Sequence, residues 1–386
     1  MFQILSKISN FVPEMAGIYI HIPFCKSRCI YCGFYSTTSL EFRQRYVEAL
    51  SKEIAMSCAM TQDITTIYLG GGTPSQLSIP QLKHILNTLY IYNKVATDAE
   101  VTIEVNPDDV TPAFADGLRT MPINRVSMGA QTFSDERLRW LHRRHTSQQV
   151  TEAIRLLREV GIRNISIDLM YGFPDETLAD WKRDTEAALA LDVEHISAYC
   201  LMVEEGTELY RRYGDMGVRE YENSKEETER AMYELLIDKL SAAGYEHYEI
   251  SNFAKTGYRS RHNASYWNGS TYIGIGAAAH SYDGHTRSWN ISDIHQYIDG
   301  MERGERIFDF EVIDDDTHYN DMVTVALRTR EGLDLSKLSE KYRTYAIKNA
   351  QRLITDGLLV LNGEHLTLTH SGLFLSDMVM RELIFV

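Results

Sequence analysis

Short apolar segments alternate with helical patterns from residue 17 to about residue 250, and this alternation constrains the fold more than any other feature. Six segments rich in β-branched and aromatic residues are predicted to be strands, at 17–21, 64–69, 101–105, 125–129, 164–170 and 195–202. Helical patterns follow them at 39–57, 79–91, 111–119, 147–160, 177–190 and 225–243. Such alternation predicts an α/β fold with a parallel sheet, and six units favour a partial (β/α)6 barrel over a closed eightfold one.

Composition and charge narrow the class of protein. The 386 residues are 44% hydrophobic and 24% charged, as in globular proteins, and the chain is long enough for two or three domains. The sequence contains no run of eighteen apolar residues, so no transmembrane span is predicted. The first fourteen residues do not resemble a secretory signal. Met15 is an alternative start site. The net charge of −15 disfavours nucleic acid as a partner because phosphates repel an acidic surface.

The five cysteines are distributed unevenly, and three of them, Cys25, Cys29 and Cys32, fall within eight residues. An odd total with one tight group argues against a disulfide framework and indicates a reducing, cytoplasmic location. Cys58 and Cys200 stand alone and are predicted to be core residues.

The spacing C-x3-C-x2-C indicates a [4Fe–4S] cluster. Three thiolates in one loop bind three irons and leave the fourth iron free to bind a substrate. The alternative is a zinc site in which His21 supplies a fourth ligand.

Several predicted strands end in glycine or polar residues. The second strand runs into Gly70-Gly71-Gly72-Thr73-Pro74, and the third ends at Glu104. Gln131 follows the fourth strand, and Asp168 lies in the apolar fifth strand, where a carboxylate is unfavourable unless it has a partner. Because ligands bind at the carboxyl ends of such strands, we expect these residues to share one site. For Glu104 the alternative is an exposed strand charge.

Two further regions follow the alternating part. Residues 251–310 are rich in Asn, Ser, Gly, Tyr and His and contain the segment His262-Asn263-Ala264-Ser265-Tyr266-Trp267. Residues 311–386 are predicted to form three helices, two short strands at 358–361 and 365–369, and a last helix. This pattern indicates a winged-helix-like domain. Its acidic segment at 314–316 favours a packing or partner role over DNA binding.

The motifs IHIPFC, GGGTP, EVNP, GAQTF, IDLMYGFP and HNASYW together resemble one family of the radical S-adenosylmethionine superfamily, the oxygen-independent coproporphyrinogen dehydrogenase group. The resemblance extends over residues 17–386. The dehydrogenase branch has a fourth cysteine where this chain has Phe34, and a longer region ahead of the cluster. The HemW-type haem chaperone branch has the spacing found here and an H-N-x-x-Y-W motif. Gly33 departs from the family, in which Asp is common at this position.

The resemblance implies three groups of ligand-binding residues. The cluster would be held by Cys25, Cys29 and Cys32. Cluster-bound S-adenosylmethionine would contact Tyr19, Gly71 and Glu104. A second S-adenosylmethionine, known in the dehydrogenase branch, would use Tyr31, Gly72, Thr73, Gln131, Arg143 and Asp168. Haem would be bound by His262, with His280 as a weaker candidate; the alternative is that His262 satisfies backbone groups in a structural loop.

The resemblance also implies a function and a domain plan. The radical-SAM core would span 15–250, a family-specific segment 251–310 and the winged-helix-like domain 311–386. The protein would carry haem to respiratory haem proteins at the membrane, as a monomer or homodimer. The alternative is an oxygen-independent coproporphyrinogen III dehydrogenase, which uses the radical from S-adenosylmethionine cleavage. An RNA-modifying radical enzyme is disfavoured by the charge of −15.

Overall fold

Six parallel strands form the centre of the structure, a computed structural model that describes residues 16–57 and 63–386. The predictions for Met15 and Cys58 therefore lie outside the described residues. The strands lie side by side in chain order, and each overlaps a predicted one, although the third strand begins at residue 95 and not at 101. They are β1 (Ala16–Ile22), β2 (Ile64–Gly71), β3 (Val95–Val105), β4 (Arg125–Gln131), β5 (Asn164–Tyr171) and β6 (His195–Cys200).

Seven helices accompany these strands: α1 (Arg43–Met56), α2 (Ile79–Tyr92), α3 (Pro112–Leu118), α4 (Asp135–Trp140), α5 (Ser147–Glu159), α6 (Leu178–Ala190) and α7 (Glu208–Ala242). Their starts follow from the sequence, since Thr146 with Gln149 and Thr177 with Asp180 form capping boxes at α5 and α6. Strand and helix residues share one large apolar core, against which Cys200 packs. The predicted partial (β/α)6 core is confirmed.

Residues 246–312 extend this sheet at both edges. β7 (Glu246–Glu249) and β8 (Asn252–Ala254) add antiparallel strands beside β6, followed by α8 (Arg261–Trp267). β9 (Tyr272–Ile275) pairs parallel with β1, and the sheet then continues through β10 (His280–Tyr282), β11 (Thr286–Asn290) and, after α9 (Ile294–Arg303), β12 (Phe308–Val312). The segment predicted as 251–310 thus shares one sheet with the core, and the domain boundaries stay a prediction.

The C-terminal region has its own apolar core, built around Tyr319, Leu353 and Leu383. It comprises α10 (Asp315–Ala326), β13 (Leu333–Asp334), α11 (Glu340–Thr355), β14 (Leu359–Asn362), β15 (His365–Leu368), α12 (His370–Leu373) and α13 (Ser376–Leu383). The three strands form a small sheet, as a winged-helix-like domain requires.

The prediction of three helices ahead of the wing is wrong in this region. Two helices precede the hairpin, and the chain between them forms β13 and a single 3₁₀ turn over Leu335–Lys337. The cause lies at Gly332, which has a φ of 70° and passes so close to the backbone of Leu366 that no side chain would fit. This turn directs Leu333 into the sheet beside Leu366.

A helix that spans a bilayer must be both long and apolar. Within 16–57 and 63–386, none combines the length and the apolar character that a membrane span requires.

Candidate cofactor site

The three clustered cysteines lie on the loop that follows β1. Cys25, Cys29 and Cys32 are free thiols, and each is partly accessible. The loop is fixed at its base, where the backbone N–H of Cys25 donates to the carbonyl of Thr37 at 2.9 Å and Thr37 donates to Pro23 at 2.7 Å. Three thiols therefore stand at the carboxyl end of the sheet, as predicted from the sequence.

The arrangement fits a cluster better than a single zinc ion. Among the described residues, no three His, Cys, Asp or Glu side chains converge on one ion, whereas a four-iron cluster binds each thiolate to a different iron. His21 is already occupied: its Nε2–H donates to the carbonyl of Tyr35 at 3.0 Å, and its Nδ1 accepts from the hydroxyl of Tyr19 at 3.0 Å. Burial lowers the pKa of His21 to about 4. It is a neutral structural side chain, so the zinc alternative is not supported.

The glycine segment at the end of β2 runs directly against the cysteine loop. A Cβ on Gly72 would lie 2.8 Å from the carbonyl carbon of Pro23 and 3.1 Å from the Sγ of Cys25. Gly71 has a φ of 114°, and a Cβ there would lie 2.7 Å from the ring of His21. Only glycine permits this close approach. Thr73 continues the contact, since its Oγ1 lies 3.6 Å from the Sγ of Cys25.

Glu104 is anchored beside this glycine segment. Its Oε1 accepts from the hydroxyl of Tyr68 at 2.8 Å, and its Oε2 accepts from the backbone N–H of Gly71 at 3.1 Å. Burial, with a smaller contribution from the nearby carboxylate of Asp168, raises the pKa of Glu104 to about 7, although the hydrogen bonds from Tyr68 and Gly71 oppose the rise. The alternative of an exposed strand charge is not supported, because the carboxyl group is enclosed and accepts hydrogen bonds from two donors.

Arg143 connects the cysteine loop to β3 and β4. Its Nη2 donates to the carbonyl of Gly129 at 2.6 Å and to the Oδ1 of Asn106 at 2.8 Å. Its Nη1 lies 3.7 Å from the Sγ of Cys29. Tyr31 completes the group; burial, followed by the charge of Cys29, raises its pKa.

The remaining two predicted residues line the same end of the sheet. Gln131 is buried and has a φ of 67°, which is rare for a residue other than glycine, at a point where the β4–β5 register shifts. Asp168 accepts from the Oγ of Ser127 at 3.4 Å, and burial raises its pKa.

Three participants were missed by sequence reasoning. Tyr68 holds Glu104, and Asn106 holds Arg143. Arg125 is only 1% exposed, and its charge lowers the pKa of both Glu104 and Asp168. Asn106 belongs to the EVNP motif and could have been found there, whereas no local signal marks Arg125.

His262 lies beside the first half of β2, where its ring stacks on that of Tyr68 with 5.0 Å between the ring centroids. Its Nδ1 is hydrogen-bonded to the Oγ1 of Thr66 at 2.8 Å and its Nε2 to the hydroxyl of Tyr266 at 3.0 Å. The side chain is 1% exposed, and burial lowers its pKa to about 3. Haem iron would reach Nε2 only if the bond to Tyr266 opened and the ring became accessible. Haem ligation by His262 therefore stays a prediction. His280, the weaker candidate, is exposed and stacks on Trp289 at 5.8 Å.

Comparison with known proteins identifies the family. Residues 19–188 match the radical SAM superfamily, and residues 313–375 match the HemN C-terminal domain. The fold resembles that of the coproporphyrinogen III oxidase HemN from Escherichia coli with a TM-score of 0.83, covering 97% of this chain and 91% of that one at 23% identity. An identity this low shows a shared fold and nothing about activity.

Closer relatives are found among curated proteins. The heme chaperone HemW of Bacillus subtilis is 36% identical over 375 residues, which cover 95% of this chain and 98% of that protein. HemW of Mycobacterium tuberculosis is 35% identical over 377 residues, covering 95% and 94%. HemW of Escherichia coli is 36% identical over 271 residues, covering 68% and 69%. The chain therefore belongs to the HemW family of the radical SAM superfamily.

Proposed function

We propose that this protein is a haem chaperone, which binds haem and delivers it to respiratory haem proteins at the membrane. The observation that carries the proposal is the match to B. subtilis HemW, named a heme chaperone, over 98% of that protein's length. We further propose that the protein acts in the cytoplasm, since its clustered thiols are free and free thiols are usual in a reducing compartment. We propose that it acts there as a monomer or homodimer.

The proposed cofactors are a [4Fe–4S] cluster and S-adenosylmethionine. Cys25, Cys29 and Cys32 would hold the cluster, which, when bound and reduced, can supply an electron to the sulfonium of S-adenosylmethionine. The radical SAM match over 19–188 supports both cofactors. The positive charges of S-adenosylmethionine suit a site that contains the carboxyl groups of Glu104 and Asp168.

The geometry supports individual positions as S-adenosylmethionine contacts. Tyr19, Gly71 and Glu104 would contact cluster-bound S-adenosylmethionine, because Gly71 and Glu104 are hydrogen-bonded beside the cysteine loop. A second molecule would use Tyr31, Gly72, Thr73, Gln131, Arg143 and Asp168.

Phe34 supports the chaperone over the dehydrogenase. It stands where the dehydrogenase branch has a fourth cysteine, its ring offers no ligand for iron, and its side chain is 72% exposed.

Two assays on the full chain test the proposal. Anaerobically reconstituted protein is titrated with haem, and we expect saturable binding with a shifted Soret band. The same protein is then incubated with coproporphyrinogen III, S-adenosylmethionine and a reductant, and we expect no turnover. Robust turnover without stable haem binding would contradict the proposal. A variant in which Cys25, Cys29 and Cys32 are all alanine tests the cluster, and its four-iron spectroscopic signal should disappear.

A further inference from the structure

A cleft of about 480 Å³ separates α8 from the C-terminal helices α10 and α13. This volume lies within the range of about 300–1,000 Å³ that is usual for small-molecule sites. No residue of the cysteine loop lines the cleft, and all its lining residues come from the end of α8 and from the C-terminal region. They are Trp267, Thr324, Val325, Arg328, Asp377, Met380, Arg381 and Ile384.

Two of the lining residues each carry a buried donor that has no acceptor. Within 16–57 and 63–386, no group accepts a hydrogen bond from the Nε1 of Trp267 or from the Nε of Arg328. Indole and guanidinium nitrogens only donate, so the missing partner is an acceptor. A buried donor without a partner destabilises the fold, and a ligand with anionic oxygens would supply the missing acceptor.

The rest of the lining defines the body of such a ligand. Trp267, Val325, Met380 and Ile384 provide apolar walls, and the guanidinium of Arg328 lies 5.5 Å from the centre of the indole ring. Arg328 and Arg381 bring two positive charges, whereas Asp377 is the single acidic group among the lining residues. A positive cleft on a chain of net charge −15 selects an apolar molecule that carries carboxylates.

We propose that this cleft binds a tetrapyrrole dicarboxylate, with the macrocycle against Trp267 and Met380 and the carboxylates on Arg328 and Arg381. The inference rests on the proposed haem-chaperone function and gives it a location. It assigns recognition to the junction of α8 with the C-terminal region, and it does not require His262 to leave its buried position.

The proposed site also accounts for the two ends of the HNASYW segment. His262, in the first turn of α8, is buried beside Thr66 of β2, whereas Trp267, the last residue of α8, lines the cleft. The backbone N–H groups of Arg261 and His262 donate to the buried carboxylate of Glu100 at 3.1 and 3.0 Å, which fixes the start of α8. The first turn therefore positions α8, and its last residue presents the indole to the ligand.

Substitution of the two arginines tests the site. Haem is titrated into full-length wild type, Arg328→Gln, Arg381→Gln and the double variant. Each single substitution removes one charged hydrogen-bond donor group and should raise the Kd for haem about 10-fold, and the double variant about 100-fold. Arg352→Gln is the matched control: it removes one charge from α11, where the side chain is 89% exposed, and should change the Kd less than about twofold.

A measurement on wild type alone avoids any problem with folding of the variants. Protoporphyrin IX and its dimethyl ester have the same macrocycle, but the ester has no carboxylates. We expect the diacid to displace bound haem at a concentration about 100-fold lower than the ester. Equal displacement by both compounds would overturn the assignment.

The cleft assignment and the chaperone proposal can be told apart by their outcomes. If wild type binds haem and the double arginine variant binds it equally well, the cleft is wrong and the chaperone proposal stands. If wild type binds no haem, the chaperone proposal fails and the cleft assignment fails with it.

Discussion

Because the carboxyl group of Glu104 can ionise, we predict that the affinity for S-adenosylmethionine depends on pH. It accepts hydrogen bonds from Tyr68 and Gly71, and burial raises its pKa to about 7. The charge of Asp168 contributes to this rise, whereas the hydrogen bond from Tyr68 and the charge of Arg125 oppose it. A cationic ligand prefers the ionised carboxylate. The affinity should therefore rise as the pH increases through 7.

The size of the effect follows from the ionised fraction. With a pKa of about 7, about a tenth of the Glu104 carboxyl groups are ionised at pH 6 and about nine tenths at pH 8. If S-adenosylmethionine binds only the ionised form, its Kd should fall about 10-fold between these pH values. Glu104→Gln keeps the size of the side chain but cannot ionise. Its Kd at pH 8 should be about 10- to 100-fold higher than that of wild type.

Calorimetric titration of reconstituted protein with S-adenosylmethionine at pH 6, 7 and 8 measures both values. The amino group of the ligand titrates in the same range, so the pH dependence that remains in Glu104→Gln is subtracted from that of wild type. Equal pH dependence in the two proteins would refute the assignment of Glu104 to the ligand.

The same carboxyl group affects stability in the opposite direction. Its pKa is 4.5 in the unfolded chain and about 7 in the fold. Its contribution to the free energy of unfolding, about 3 kcal/mol, is therefore fully present below pH 4.5 and is lost as the pH rises through 7. The stability of the ligand-free Glu104→Gln variant, relative to wild type, should rise by about this amount between pH 5 and pH 8. Denaturant unfolding at the two pH values measures it, and a constant difference would show that Glu104 has an ordinary pKa.

Three other predictions concern packing. Gly72→Ala places a methyl group against the Sγ of Cys25, so iron content after reconstitution should fall at least twofold; unchanged iron content would contradict the close approach. His262→Ala removes a buried ring with two hydrogen bonds and should lower the free energy of unfolding by about 2–4 kcal/mol even without haem; a stable variant would mean that the ring is free. Glu53→Ala removes a buried carboxylate that binds β9, β11 and α9 and should cost about 3–5 kcal/mol, against less than about 0.5 kcal/mol for the exposed Glu48→Ala; equal losses would contradict its role.

The strand–helix alternation was sufficient to predict the core, because each strand carries its own apolar run and helices α2 to α7 each begin at a Ser or Thr cap. It was also sufficient to place Cys25, Gly71 and Glu104 near one another, since parallel strands in chain order bring their carboxyl ends to one edge. The family, the fold class and the chaperone function predicted from the motifs agree with the comparisons.

Other features depend on tertiary contacts that no local pattern records. The edge strands β10 and β11 are short and polar, so their pairing beside β9 was not predicted. Arg125 begins an ordinary apolar strand, and only the closed face of the sheet explains its burial. The resemblance implied that His262 binds haem, whereas in the structure Glu100 and Thr66 bind α8 against the sheet and the ring is buried.

Transfer of haem between proteins tests the chaperone function most directly. Full-length protein loaded with one equivalent of haem is mixed with membrane vesicles that contain a respiratory haem protein lacking its haem, and the absorbance of the acceptor is followed. We predict that the acceptor gains haem faster from the loaded protein than from the same concentration of free haem. Retention of the haem, or transfer no faster than from free haem, would contradict the function proposed for this chain.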